Sequence, residues 1–152
     1  MPNQEPQERL IAALDQTVNE SLDYLTGEGT TSQARVGDWG AWEVLCHMIY
    51  WHRATTEGIE SVASGGEPRQ IEAETDEANA QIIASMSGKS SEELASEVRE
   101  VQARLISAVR GIPDPDSTVF IRLGGAESST NQRLEAMTGH WRGHVEELKG
   151  AS

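Results

Sequence analysis

The stretch Ala41-Trp42-Glu43-Val44-Leu45-Cys46-His47-Met48-Ile49-Tyr50-Trp51-His52-Arg53 decides the fold. Val44, Met48 and Trp51, continued by Thr55 and Val62, recur at helical steps, so a helix from about Ala41 to Ala63 must bury one face. Gly40 stands at its N-cap with Glu43 at the third position, and Ser64-Gly65-Gly66-Glu67-Pro68 stops it. His47 flanks the buried stripe one turn before Trp51, which places an imidazole at the edge of whatever packs against this helix.

Three more long segments share the period. From about Pro6 to Leu25, the residues Leu10, Ile11, Leu14, Val18, Leu22 and Leu25 make one apolar face, with Pro6 suited to the first turn. The run Thr26-Gly27-Glu28-Gly29-Thr30-Thr31 ends that helix, and a loop leads to Trp39. Ser90-Ser91-Glu92-Glu93 offers a capping box for a helix carrying Leu94, Val98, Val101, Leu105 and Val109. The last helix, roughly Thr130 to Lys149, buries Leu134, Met137, Trp141, Val145 and Leu148.

One extra short helix is expected from Thr75 or Asp76 to Met86, with Gly88 at the break. The connection after Ala63 reaches roughly Glu74 and is long enough to cross the end of a bundle. Between Gly111 and about Ser129 lie Pro113, Pro115, Gly124 and Gly125, which predict a loop with at most a short extended piece at Val119-Phe120-Ile121. No β pattern or internal repeat is evident. The expected fold is all-α, four long helices plus a short one, in a single domain over residues 1–152.

Composition narrows the partners. Twelve Lys+Arg against 25 Asp+Glu give a formal charge of -13, which repels a polyphosphate backbone, so nucleic acid is not an expected partner. No apolar run approaches the ~20 residues needed to span a bilayer, and Met1-Pro2-Asn3-Gln4-Glu5 does not read as the start of a signal peptide. Neither membrane association nor export is expected. The one cysteine, Cys46, forms no internal disulfide and fits a reducing cytoplasm.

The chemistry concentrates in the histidines. His140 and His144 are about 40° apart on the last helix, on the flank of its stripe, so both can face inward. Pairing that helix with the one bearing His47 brings three imidazoles towards one point. Neutral imidazole suits Zn²⁺, Ni²⁺ and Fe²⁺, and three protein ligands leave coordination positions open. The competing reading is that all three are ordinary packing or surface residues. His140-Trp141-Arg142-Gly143-His144 lacks the glutamate of the zinc-protease helix, which disfavours peptidase chemistry.

Other candidates are weaker. His52 lies about 140° round the helix from His47 and reads as a rim or packing histidine. Cys46 points about 100° from His47 and reads as a buried, inert thiol. Trp39, Trp42, Trp51 and Trp141 are expected as core or helix-end anchors, with Trp51 placed to wall a pocket. Arg53, Arg122, Arg133 and Arg142 are candidates for holding an anionic substrate, with a solvated surface position as the ordinary expectation for each.

The segment Val36-Gly37-Asp38-Trp39-Gly40-Ala41-Trp42 through His47 to Arg53 resembles the tryptophan-to-histidine segment of the DinB-like superfamily, in which a Trp precedes the helix and the first metal histidine falls two turns in. Asp76-Glu77-Ala78-Asn79 and the Ser90-Ser91-Glu92-Glu93-Leu94 helix start resemble the middle of the same superfamily, near its mycothiol-dependent maleylpyruvate isomerases. His140 and His144 match the pair in its last helix. Two departures stand out. Gly40 occupies a position where many members have serine or threonine, and His140 one where the isomerase branch has glutamate, so the three-histidine pattern is the better match.

The resemblance implies a DinB-like four-helix bundle with a crossover connection, often a homodimer, holding a divalent metal through His47, His140 and His144. Zinc or nickel is expected first, with iron or manganese as alternatives. It further implies a metal-dependent enzyme that activates a low-molecular-weight thiol or water for transfer or hydrolysis on a small-molecule substrate. The alternative is a non-catalytic metal- or ligand-binding bundle, favoured by the lack of an obvious general base beside the histidines.

Overall fold

A computed structural model describes residues 5–31, 35, 37, 39–71 and 76–151. In chain order these form α1 (Glu5–Thr26), α2 (Glu28–Thr31), α3 (Ala41–Ala63), β1 (Arg69–Gln70), α4 (Asp76–Ser85), α5 (Ser91–Gly111), β2 (Thr118–Ile121), β3 (Glu127–Ser129) and α6 (Thr130–Ala151). The long helices are α1, α3, α5 and α6, and their stripes meet in one core. Leu14, Leu22, Leu25, Leu45, Met48, Leu94, Leu105 and Trp141 are all essentially inaccessible there. Helix α3 lies along α5, and α1 along α6. Because α6 packs on α1 and α3 rather than on α5, the α5–α6 link crosses the bundle end, whereas the connection leaving α3 returns beside it.

Local chemistry sets the helix ends. Ser90 Oγ accepts the Glu93 backbone N–H at 3.1 Å and starts α5. At α3 the N-cap has no side chain, and Glu43 Oε1 instead accepts the Gly40 backbone N–H at 2.8 Å. Trp42 Nε1 donates to the Lys89 carbonyl at 2.9 Å and ties this helix start to the turn before α5. The expected capping residue Thr75 lies outside the described residues, whereas Asp76 opens α4.

The sequence predicts almost no strand, yet a small sheet in the order β1-β2-β3 caps α3. β1 runs parallel to β2 with Arg69 opposite Phe120, and β3 pairs antiparallel with β2 across the Gly124-Gly125 turn. These strands of two to four residues are too short to show a period. Helix α2, a single turn, escapes for the same reason. The sheet buries Phe120 completely and brings it against Trp51, with ring centroids 6.1 Å apart.

Gly58 makes that docking possible. A Cβ there would overlap the Val119 carbonyl oxygen and lie 3.0 Å from Arg69 Cβ. Replacing glycine by alanine inside a helix ordinarily stabilises by about 1 kcal/mol. Here Gly58→Ala is expected to destabilise by about 1–3 kcal/mol, because the sheet must shift. A urea midpoint raised by this substitution would contradict the packing.

Candidate metal centre

Helices α3 and α6 bring the three predicted histidines together. His47 Nε2 lies 3.4 Å from His140 Nε2, which lies 2.9 Å from His144 Nε2. One ligand atom from each falls within 4.8 Å of the other two. The His47 ring stands edge-on to both partners, at interplanar angles of 90° and 82°. Trp39, in the segment before α3, covers His47 at a centroid distance of 4.8 Å, and Trp51 stands edge-on to the same ring at 6.2 Å. The anchoring role expected of Trp39 thus understates its part in closing the cluster.

Electrostatics keep the cluster neutral. Burial pushes His47 down to about 4, reinforced by His144 and opposed by the Asn79 side chain. Burial likewise takes His140 to about 3, with His144, His47, Arg133 and Arg122 adding to the effect. His144 is also lowered by burial, and Glu147, 3.9 Å from its Nδ1, opposes the shift.

This donor set fits a divalent cation. A neutral imidazole Nε2 either carries a proton or offers a lone pair, so His140 Nε2 cannot make two good hydrogen bonds to the nitrogens on either side. A divalent cation held by His47, His140 and His144 would take up these lone pairs, leaving each ring proton on its other nitrogen. There Glu147 faces His144, as an outer carboxylate faces many metal-bound histidines. His47 Nδ1 is buried without a hydrogen bond of good geometry, although the Asn79 side chain is close enough to act on its ring.

The remaining candidates sort by position. Cys46 is fully buried, and desolvation followed by the Glu43 charge pushes its thiol up to about 12, so it remains a thiol. Trp141 Nε1 donates to His52 Nδ1 at 3.2 Å, and His52 Nε2 donates to Gln102 Oε1 at 2.6 Å. Gln102 Nε2 then reaches Asp15 Oδ1 at 3.3 Å, so α6, α3, α5 and α1 share one polar chain through the core. These bonds assign the proton of neutral His52 to Nε2 and make it a packing residue.

Complete burial lowers His52 to about 4, against the opposing effect of its hydrogen bond to Gln102 Oε1. The folded protein therefore resists a proton that the unfolded chain accepts near pH 6.5. Stability of the metal-free protein is expected to be full above that pH and to fall towards pH 4, by about 1.4 kcal/mol per pH unit for this group alone. Urea unfolding at pH 7 and pH 5 checks this; equal midpoints would contradict a neutral buried His52.

Beside the cluster opens a cavity of about 280 Å³, bounded by His47, Trp51, Asn79 and Ala136, with His140, Arg122 and Arg133 completing the lining. Arg53 is paired with Glu97 at 2.6 Å, and Arg142 donates to Thr17 at 3.0 Å; neither lines the cavity. Arg122 is exposed at its rim. Arg133 departs from the expected solvated position: it is only 5% exposed, because β2 lays Phe120 against it. Its seven-residue spacing from His140 was the available signal, since that spacing returns to the same helix face. Asn79 carried no comparable signal.

A helical bundle with three histidines converging between its second and last long helices defines the class. The DinB superfamily matches over residues 10–148, and the chain belongs to that superfamily. Two crystal structures of the mycothiol-dependent maleylpyruvate isomerase share the fold. One, a histidine-to-alanine mutant, gives a TM-score of 0.74 at 17% identity over 95% of this chain and 61% of that chain. The other gives 0.73 at 16% identity over 93% and 60%. The chain thus spans about three-fifths of the length of those isomerase chains, and the likeness is one of fold. No curated protein matches it. Among the described residues, no helix is long and apolar enough to cross a membrane.

Proposed function

We propose that the protein is a divalent-metal enzyme in which His47, His140 and His144 hold the ion, and a low-molecular-weight thiol or water attacks a small-molecule substrate in the adjoining cavity. The convergence of three ligand nitrogens within 4.8 Å supports this reading most directly. Bound there, zinc or nickel supplies Lewis acidity and makes a thiol or water nucleophilic at neutral pH. Trp39 packs on the His47 ring, and the cavity walled by Trp51 leaves the cluster open to a substrate. A single domain, a homodimeric assembly and a cytoplasmic location belong to the same proposal.

The test is turnover by zinc- or nickel-loaded protein on small electrophiles with mycothiol, bacillithiol, glutathione or water as the nucleophile. Turnover abolished by chelation and by His140→Ala is the expected result. A second reading, a non-catalytic metal-binding bundle, is favoured by one observation: among the described residues, no Asp or Glu lines the cavity to act as general base. Loaded protein inert towards every nucleophile, yet strongly stabilised by metal, would select it.

A further inference from the structure

We propose that Asn79 is a positioning residue of the metal centre: its side-chain carbonyl accepts the Nδ1 proton of His47 and so keeps the Nε2 lone pair of that ring aimed at the ion. The inference rests on the reading of the three histidines as metal ligands, and it names what holds one of them in its ligating form. Which nitrogen of an imidazole binds a metal is set by the hydrogen bond the other nitrogen makes.

The placement of Asn79 begins with the pattern of α4. Its half-buried residues are Ala78, Asn79, Ile82 and Ile83, and the two isoleucines pack against the core. Steps of three and four put Asn79 on the same side of the helix as Ile82 and Ile83, the side that meets α3. An amide on an inward, otherwise apolar face calls for a polar partner. Asn79 and His47 line the same cavity, and the Asn79 side chain favours a proton on the His47 ring. Favouring the proton is the action of the amide oxygen, an acceptor, and not of the amide N–H groups.

His47 supplies the complementary half. Its Nε2 faces His140 Nε2 at 3.4 Å, so that lone pair belongs to the ion and the one ring proton of the neutral form sits on Nδ1. Nδ1 is buried and makes no hydrogen bond of good geometry. The rings packed around it do not serve as acceptors: the indoles of Trp39 and Trp51 only donate, and His140 and His144 turn their Nε2 atoms to the same ion. The Asn79 oxygen fills that need, and α4, which has no fully buried residue, can adjust to close the bond. Glu147 stands in the corresponding place for His144, 3.9 Å from its Nδ1. A neutral amide on His47 orients the ring without adding a second negative charge behind the ligands.

Heteronuclear NMR of the imidazole nitrogens reads the tautomer in metal-free protein at pH 7, and competition with a chromophoric chelator reads zinc affinity. Wild-type His47 is expected to carry its proton on Nδ1. Asn79→Leu, which keeps the volume and removes the acceptor, is expected to lose that preference and to bind zinc about 10–100-fold more weakly. Asn79→Asp keeps an acceptor oxygen, and is expected to retain the Nδ1 proton and to bind zinc at least as tightly as wild type. Asn79 is only half-buried, so both variants are expected to fold; if Asn79→Leu does not, Asn79→Ala takes its place. Zinc affinity unchanged in the folded Asn79→Leu variant overturns the proposal. So does equal weakening in Asn79→Leu and Asn79→Asp, which would mark the amide as packing, and so does an Nδ1 proton that persists on His47 in Asn79→Leu. Wild-type protein that takes up no zinc defeats the metal reading alone, because the tautomer of His47 in wild type and Asn79→Leu still decides whether Asn79 holds the ring.

Discussion

The His140→Ala/His144→Ala variant is expected to purify without metal and to lose the metal-dependent part of its melting temperature. Removing two of three imidazoles leaves His47, and a single imidazole does not retain a divalent ion against buffer. With zinc at about 1,000 times its dissociation constant, binding to the native state alone stabilises by about 4 kcal/mol. For a domain of this size each kcal/mol shifts the melting temperature by roughly 2–4 °C, so the wild type is expected to lose about 8–16 °C on chelation and the variant almost nothing. Both substituted side chains are only partly buried, and truncating them relieves the crowding of three neutral rings around His140 Nε2. The metal-free forms should therefore melt within a few degrees of each other, at roughly 2–4 °C per kcal/mol. Thermal denaturation with and without EDTA reads both quantities. An equal zinc-induced shift in the variant would show that the histidines are not the ligands.

Trp141→Ala is expected to cost the most stability of any single substitution in the core. The indole is completely buried between α6 and its neighbours, and truncating a buried Trp typically costs about 3–5 kcal/mol. His52 Nδ1 also loses its donor, leaving a buried acceptor unsatisfied at roughly 1–3 kcal/mol. These terms overlap, and together they consume much of the about 5–15 kcal/mol that stabilises a domain. Trp141→Phe keeps most of the volume and isolates the hydrogen bond, so its loss should be about 1–3 kcal/mol. Urea unfolding of the pair separates the two contributions; a loss below about 2 kcal/mol for Trp141→Ala would contradict the packing. The consequence reaches the site, because Trp141 adjoins His140, and its bond to His52 helps set the rotation of α6 against α3.

The bundle was legible because its four long helices each repeat one apolar face over several turns. The histidine cluster was legible for the same reason: the same periodicity puts His140 and His144 on one flank, puts His47 beside its stripe and turns His52 and Cys46 away. Features that depend on short or distant contacts were not. Arg133, between Gln132 and Leu134, reads as a surface residue until β2 lays Phe120 over it, and β2 lies in a segment whose prolines and glycines read as loop. Trp39 reaches the cluster from outside any helix, so no period points it there. Asn79 comes from α4, a helix with no fully buried residue and a weak apolar face, and its approach to His47 is purely tertiary.

X-ray absorption spectroscopy of the zinc-loaded protein addresses the ligand set itself. The predicted result is one zinc per chain with three histidine nitrogens at about 2.0–2.1 Å, the remaining coordination from light atoms, and no sulfur. A sulfur shell near 2.3 Å would bring Cys46 into the site, and a protein that cannot be loaded would leave the cluster as packing; either result contradicts a three-histidine metal centre.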